Sequence, residues 1–146
     1  AARDESMHKL VMPALRAGKH VISDRGDSST FAFQICGEEH GELVDLFLQL
    51  RQKFVFSAKY GRREPDLYVI LDLPAEVARE RVMRANRGEL NYFDARDLAY
   101  YERVRNGFLK FADYPHYPVK FIDATRFPHA VHMDVMKVLE EEVRIV

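Results

Sequence analysis

The sequence predicts an α/β domain, a parallel sheet with helices on both faces, on three observations. Residues 67–73, Leu-Tyr-Val-Ile-Leu-Asp-Leu, are almost continuously apolar, the pattern of a parallel strand covered on both sides. Shorter runs of the same kind stand at 20–24 and 119–123. Between the three lie stretches with apolar residues at helical spacing, so helices and strands alternate along the chain, and right-handed crossovers put helices on either face.

The elements follow in order. Met7, Leu10, Val11, Ala14 and Leu15 predict an opening helix ending near Gly18, with a kink at Pro13. A strand at 20–24 runs into the polar cluster 24–30, followed by a short helix over 30–35 and a loop over 37–41. From Leu43 to Phe56 apolar residues are too dense for one buried face, which predicts a second covered face and a partner subunit. After the strand at 67–73, Pro74 and Glu76 suit a first helical turn, and that helix runs to about Ala85. A polar stretch separates it from a long helix over 94–112. A strand at 119–123 and an amphipathic helix over 128–143 close the chain.

The chain of 146 residues is 47% hydrophobic and forms one domain, large enough to hold a core without metal or disulfide staples. Cys36 is the single cysteine, which predicts a reducing, cytoplasmic setting and an inert packed thiol. No apolar run approaches the roughly 18 residues of a membrane span, and no leader pattern opens the chain, so no membrane role is expected. With 22 basic and 23 acidic side chains the formal charge is −1, which disfavours a nucleic-acid coat. The chain opens inside a helical pattern without Met and reads as part of a longer protein.

In open parallel sheets ligands gather beyond the carboxyl ends of the strands. That rule selects Asp24-Arg25, the loop after Leu73, and Asp123-Ala124-Thr125. Asp24 suits the orientation of magnesium-bound water, and Arg25 carries a planar fork for a phosphate. Arg81, Arg84 and Arg87 recur every three residues toward the polar stretch. Arg81 and Arg84 read as cations suiting a helix end, and Arg87 as a functional arginine. His129 and His132 lack partners for a metal set and read as surface residues.

Ala1-Ala2-Arg3, Met12-Pro13-Ala14-Leu15, Asp24-Arg25 and Ser29-Thr30-Phe31-Ala32-Phe33-Gln34 resemble bacterial-type thymidylate kinases in order and spacing. So do Pro65-Asp66-Leu67, Leu71-Asp72-Leu73-Pro74, Arg87-Gly88-Glu89-Leu90, Arg103-Val104-Arg105 and Ile122-Asp123-Ala124. The resemblance implies a P-loop nucleoside monophosphate kinase fold, transfer of the γ-phosphoryl of magnesium ATP to dTMP, and a homodimer through the helix around Leu43 and Phe56.

It also implies site roles. Arg25 holds the acceptor phosphate, with Asp24 holding Mg2+ through water. Arg3 lies over the base, and Ser29, Thr30, Gln34 and Tyr101 border the nucleotide, with Phe33 along the sugar. The mobile lid falls at about 86–94, where Arg87, or Arg84 beside it, approaches the transferring group. Ala124 and Thr125 border the ATP. The chain departs from the pattern at Gly26, at Phe33 and at Tyr92 in the lid. It also has no G-x-x-x-x-G-K-[ST] loop, the cradle for donor phosphates. The expectation is that the first strand, that loop and its helix precede Ala1, and that residues 1–146 alone transfer nothing. A kinase for another deoxynucleotide, or a non-catalytic binding or assembly relative, are the other readings.

Overall fold

The computed structural model describes residues 5–56, 61, 64–85, 96–115 and 118–143. Helix α1 runs through Met7–Val11 into Met12–Arg16. Pro13 has no N–H to donate and crowds the preceding turn, and just before it the helix widens to π-type turns, with Met12 N–H bonded to Met7 O five residues back. Gly18 ends this region with φ +72°, a left-handed conformation that glycine adopts without steric cost.

Helix α2 runs through Asp27–Ser29 into Thr30–Gly37, longer than the 30–35 expected from the sequence. Its start is fixed by Asp27, whose side chain turns inward instead of joining the polar loop. Gly37 belongs to this helix and not to the following loop. A 3-10 turn, Gly41–Leu43, leads into α3, which runs through Val44–Leu50 into Arg51–Val55. Strand β1 is Tyr68–Asp72, α4 is Ala75–Ala85, α5 is Leu98–Phe111, β2 is Val119–Asp123 and α6 is Pro128–Val143. Helix α5 begins later than the expected 94 because the Asp97 carboxylate accepts from Tyr100 N–H and caps the first turn.

β1 and β2 pair in parallel, from Tyr68 opposite Val119 to Asp72 opposite Asp123. In-register residues of paired strands share a face. On one face Tyr68 meets Phe111 of α5 at 5.3 Å between ring centroids. On the other, Lys120 reaches Glu142 of α6 at 2.6 Å. Helices therefore cover both sides, the α/β arrangement the sequence predicts.

The strand expected at 20–24 does not form: the segment is exposed, with Ile22 at 85%. A strand needs a neighbour for its ladder bonds, and among the described residues none lies beside it. The face of β1 carrying Leu71 is also less covered than its apolar sequence implied, and Leu71 is 52% exposed.

The core lies between α2, α5 and β1. Phe31 and Phe111 are fully buried there, 5.9 Å apart, with Tyr114 5.2 Å and Phe47 5.6 Å from Phe31. Helices α2 and α5 pack closely because Gly37 faces Tyr100 and Val104, and Gly107 faces Ala32 and Cys36. Leu43 in the 3-10 turn and Leu46 and Leu50 on α3 remain 40–50% exposed, an apolar face left open among the described residues.

Candidate active site

A cleft of about 600 Å³ opens at the carboxyl end of β1. It is lined by α2, which presents Ser29, Thr30, Phe33 and Gln34, by the neighbouring α5, with Tyr100, Tyr101, Arg105 and Phe108, and by Ala75, Ala78 and Val82 of α4. Arg25 lies at the rim and Asp72 in the floor. The spacing within α2 explains its part of the lining: 30, 33 and 34 share one face of a helix, while Phe31 and Ile35 point into the core.

Arg25 is an exposed residue with φ +67°, left-handed backbone that is uncommon for a side chain of this size. Ser23 Oγ donates to its carbonyl oxygen at 2.9 Å, and its guanidinium carbon stands 5.2 Å from the centre of the Phe33 ring. Phe33 in turn meets Phe108 edge-on at 5.8 Å. The cation is thus held over an aromatic wall with its fork open to the cleft, a contact worth about 0.5–1 kcal/mol at an exposed position. Gly26 beside it has extended backbone and open space around its Cα, so the position accepts a larger side chain. Asp24 is exposed next to Arg25. A single exposed carboxylate fits Mg2+, which commonly keeps its waters and completes its shell with substrate phosphates.

Arg105 was not singled out for a role by the sequence reasoning. Its Nε and Nη2 donate to the two carboxylate oxygens of Asp72 at 2.7 and 2.8 Å, a bidentate pair in the cleft floor. The hydrogen bonds from Arg105 hold the Asp72 carboxyl below its ordinary range, against an opposing contribution from burial. The available signal was an acidic residue ending an otherwise apolar strand.

Arg81 is no simple solvated cation. Its Nη1 donates to Ala124 O at 2.7 Å and its Nη2 to Thr125 O at 3.1 Å, tying α4 to the loop after β2. In that loop Thr125 N–H and Oγ1 both donate to Asp123 Oδ1, at 2.9 and 2.6 Å, and these bonds hold the Asp123 carboxyl low. Arg84 is exposed and pairs with Glu80 one turn back at 2.5 Å, outside the cleft lining.

The structure therefore brings Arg25, Ser29, Thr30, Phe33, Gln34 and Tyr101 to one cleft, and leaves Ala124 and Thr125 bordering a separate groove with Leu71 and Phe127. Arg3, Arg87, Tyr92 and the 86–94 lid lie outside the described residues. Among the described residues no group of three or more His, Cys, Asp or Glu side chains could hold a metal ion, and no helix is long and apolar enough to cross a membrane. Burial raises the Cys36 thiol pKa, consistent with an inert packed side chain.

Comparison with known proteins adds the decisive observation: a family model described as thymidylate kinase matches residues 1–135. The chain belongs to the thymidylate kinase family. It is 31% identical to the thymidylate kinase of Oenococcus oeni over 144 residues, covering 99% of this chain and 64% of that protein. To the thymidylate kinase of Lactobacillus helveticus it is 33% identical over 145 residues, covering 98% and 64%. The crystal structure of thymidylate kinase from Ehrlichia chaffeensis superposes with a TM-score of 0.66 at 26% identity, covering 94% of this chain and 60% of that one. The chain thus spans about 64% of the length of these two curated thymidylate kinases.

Proposed function

We propose that the protein is a nucleoside monophosphate kinase that transfers the γ-phosphoryl of MgATP to dTMP, giving dTDP and ADP. The observation that carries this reading is the convergence of Arg25, Thr30, Phe33, Gln34 and Tyr101 on one strand-end cleft in a thymidylate kinase family chain.

The chemistry suits such a cleft. A monophosphate with a second pKa of about 6 is already largely a dianion at neutral pH, so an acceptor phosphate oxygen attacks the γ-phosphorus without a general base. The bond from that phosphorus to the bridging oxygen breaks, and ADP leaves with the electron pair. Catalysis of this transfer rests on alignment and on positive charge around the equatorial oxygens. Arg25 grips the acceptor phosphate, Phe33 lines the sugar, and Thr30 and Gln34 read the edge of the base. Ser29 and Tyr101 complete the acceptor wall, and Arg3 covers the base.

Asp24 would hold Mg2+ through water, and the ion would supply charge neutralisation for the phosphoryl groups. The donor base lies against Ala124 and Thr125, and the 86–94 lid brings Arg87, with Arg84 at its root, to the transferring group. We further propose a cytoplasmic homodimer that covers the apolar face formed by Leu43, Leu46 and Leu50. The test is turnover by the complete protein: ATP with dTMP yields ADP and dTDP, faster than with dCMP, dGMP or dAMP. Preference for another monophosphate replaces the acceptor, and nucleotide binding without turnover replaces the enzyme reading with a binding module.

A further inference from the structure

Behind the acceptor wall lies a buried polar cluster that the phosphoryl-transfer chemistry does not use. Arg51 of α3 has its side chain 4% exposed, Asp27 at the start of α2 is 3% exposed and Glu64, ahead of β1, is 6% exposed. The guanidinium spends its three faces on three different segments. Nε donates to Asp27 Oδ2 at 2.5 Å, Nη1 to Glu64 Oε1 at 2.7 Å and Nη2 to the Tyr68 hydroxyl at 3.0 Å. The Tyr68 hydroxyl donates in turn to Asp27, at 3.2 Å from Oδ1. The guanidinium carbon also stands 4.8 Å from the centre of the Phe56 ring.

A buried ion cluster of this kind is weak evidence for stability, because desolvating the charges offsets their attraction, and apolar replacements of similar volume are often neutral. What it does supply is geometry. A planar fork with fixed N–H directions accepts its partners in one arrangement only. Here that arrangement joins α3, β1 and the first residue of α2. Asp27 is three residues before Thr30, six before Phe33 and seven before Gln34. A rotation or slide of the start of α2 would displace all three cleft residues together.

We infer that Arg51 is a positioning residue for the acceptor site: through Asp27 it sets the rotation and height of α2, and so where Thr30 and Gln34 meet the acceptor base. The inference rests on the proposed reading of the cleft as an acceptor site. Arg51 touches no substrate itself and does not line the cleft. Its charge is secure there. Burial works against the guanidinium, yet the hydrogen bonds to Glu64 and Asp27 outweigh it and keep the side chain cationic; burial and the Asp27 carboxylate keep the Tyr68 hydroxyl protonated, as a donor.

The test uses the complete protein and steady-state kinetics well below the melting temperature. Arg51→Lys keeps the charge and loses the fork. The expected result is a KM for dTMP raised about tenfold, with kcat at saturation and KM for ATP within twofold of the wild type, because contacts to a base edge act equally on ground and transition states. The preference for dTMP over dCMP in kcat/KM falls with it, since misplaced hydrogen-bonding groups no longer reject the wrong edge. Tyr68→Phe removes one hydroxyl at nearly constant volume and moves the same quantities in the same direction, about threefold. It decides the matter if Arg51→Lys does not fold. Variants that melt earlier but keep the wild-type KM for dTMP and the wild-type preference overturn the inference, leaving the cluster a purely structural element. A wild-type protein that does not phosphorylate dTMP removes both the acceptor reading and this one. An active wild type with kinetically unchanged variants removes only the role of Arg51.

Discussion

Gly107 of α5 crosses Ala32 of α2 so closely that a Cβ on the glycine would lie 2.9 Å from Ala32 Cα and 2.8 Å from Cys36 Cβ. Backbone on the far side cannot swing away as a flexible side chain could, so any substituent forces the two helices apart. Both helices line the cleft.

Gly107→Val is therefore expected to destabilise the protein by about 2 kcal/mol, from overpacking that typically costs 1–3 kcal/mol. Gly107→Ala loses less, because alanine recovers up to about 1 kcal/mol of helix propensity over glycine. Thermal melting checks the order, wild type above Ala above Val. A Val variant as stable as the wild type would show that the helices are not in close contact at this crossing.

Arg25 offers a separation of folding from function. Its left-handed backbone suits glycine, so Arg25→Gly relieves steric cost while it forfeits the stacking on Phe33, and the melting temperature should stay within a few degrees. Activity should not survive in the same way. If Arg25 holds the acceptor phosphate as proposed, loss of its guanidinium lowers kcat/KM for dTMP by about a hundredfold, in line with roughly 3 kcal/mol for a preorganised charge contact. Undiminished turnover in Arg25→Gly would remove the side chain from the mechanism.

Much of this was legible from local pattern. The apolar run around Ile70, the proline at the start of the helix after it, and the spacing from Pro128 to Val143 each specify their element through nearest neighbours, and those elements formed where expected. Residues 20–24 carry the same kind of apolar pattern but no strand, because a ladder depends on a neighbour that local sequence does not reveal. The grouping of Thr30, Phe33 and Gln34 on one cleft followed from the resemblance. Arg51 with Asp27, Arg105 with Asp72 and Arg81 with Ala124 did not, since these pairs are separated by 24, 33 and 43 residues. Such contacts come from tertiary packing and leave no spacing rule in the sequence.

Arg81 ties the helix leading toward residues 86–94 to the loop at Ala124 and Thr125, the proposed seat of the donor base. Arg81→Met keeps most of the aliphatic stem and deletes both hydrogen bonds. The expected consequence is a KM for ATP raised about fivefold with KM for dTMP unchanged, and Arg81→Lys, which keeps one donor, should fall between. A change in the dTMP constant instead would place the effect in the acceptor cleft and refute the brace.

The Asp72–Arg105 pair predicts a pH dependence whose sign follows from its carboxyl. The folded-state pKa of Asp72 is held below its ordinary value of 3.8, chiefly by the Arg105 hydrogen bonds. The pair's contribution is thus fully present above about pH 5, where the unfolded carboxyl is ionised, and disappears as pH falls through the lower folded pKa. With Asp72 25% and Arg105 39% exposed, solvent screening reduces the pair to about 1 kcal/mol. Urea unfolding from pH 7 down to pH 2.5 should show Arg105→Leu less stable than the wild type by that amount at neutral pH. The two curves should then converge at the acid end, where the carboxylate that distinguishes them has taken up its proton. A gap that persists undiminished to pH 2.5 would mean that the guanidinium stabilises the protein through its packing in the cleft floor and not through its charge.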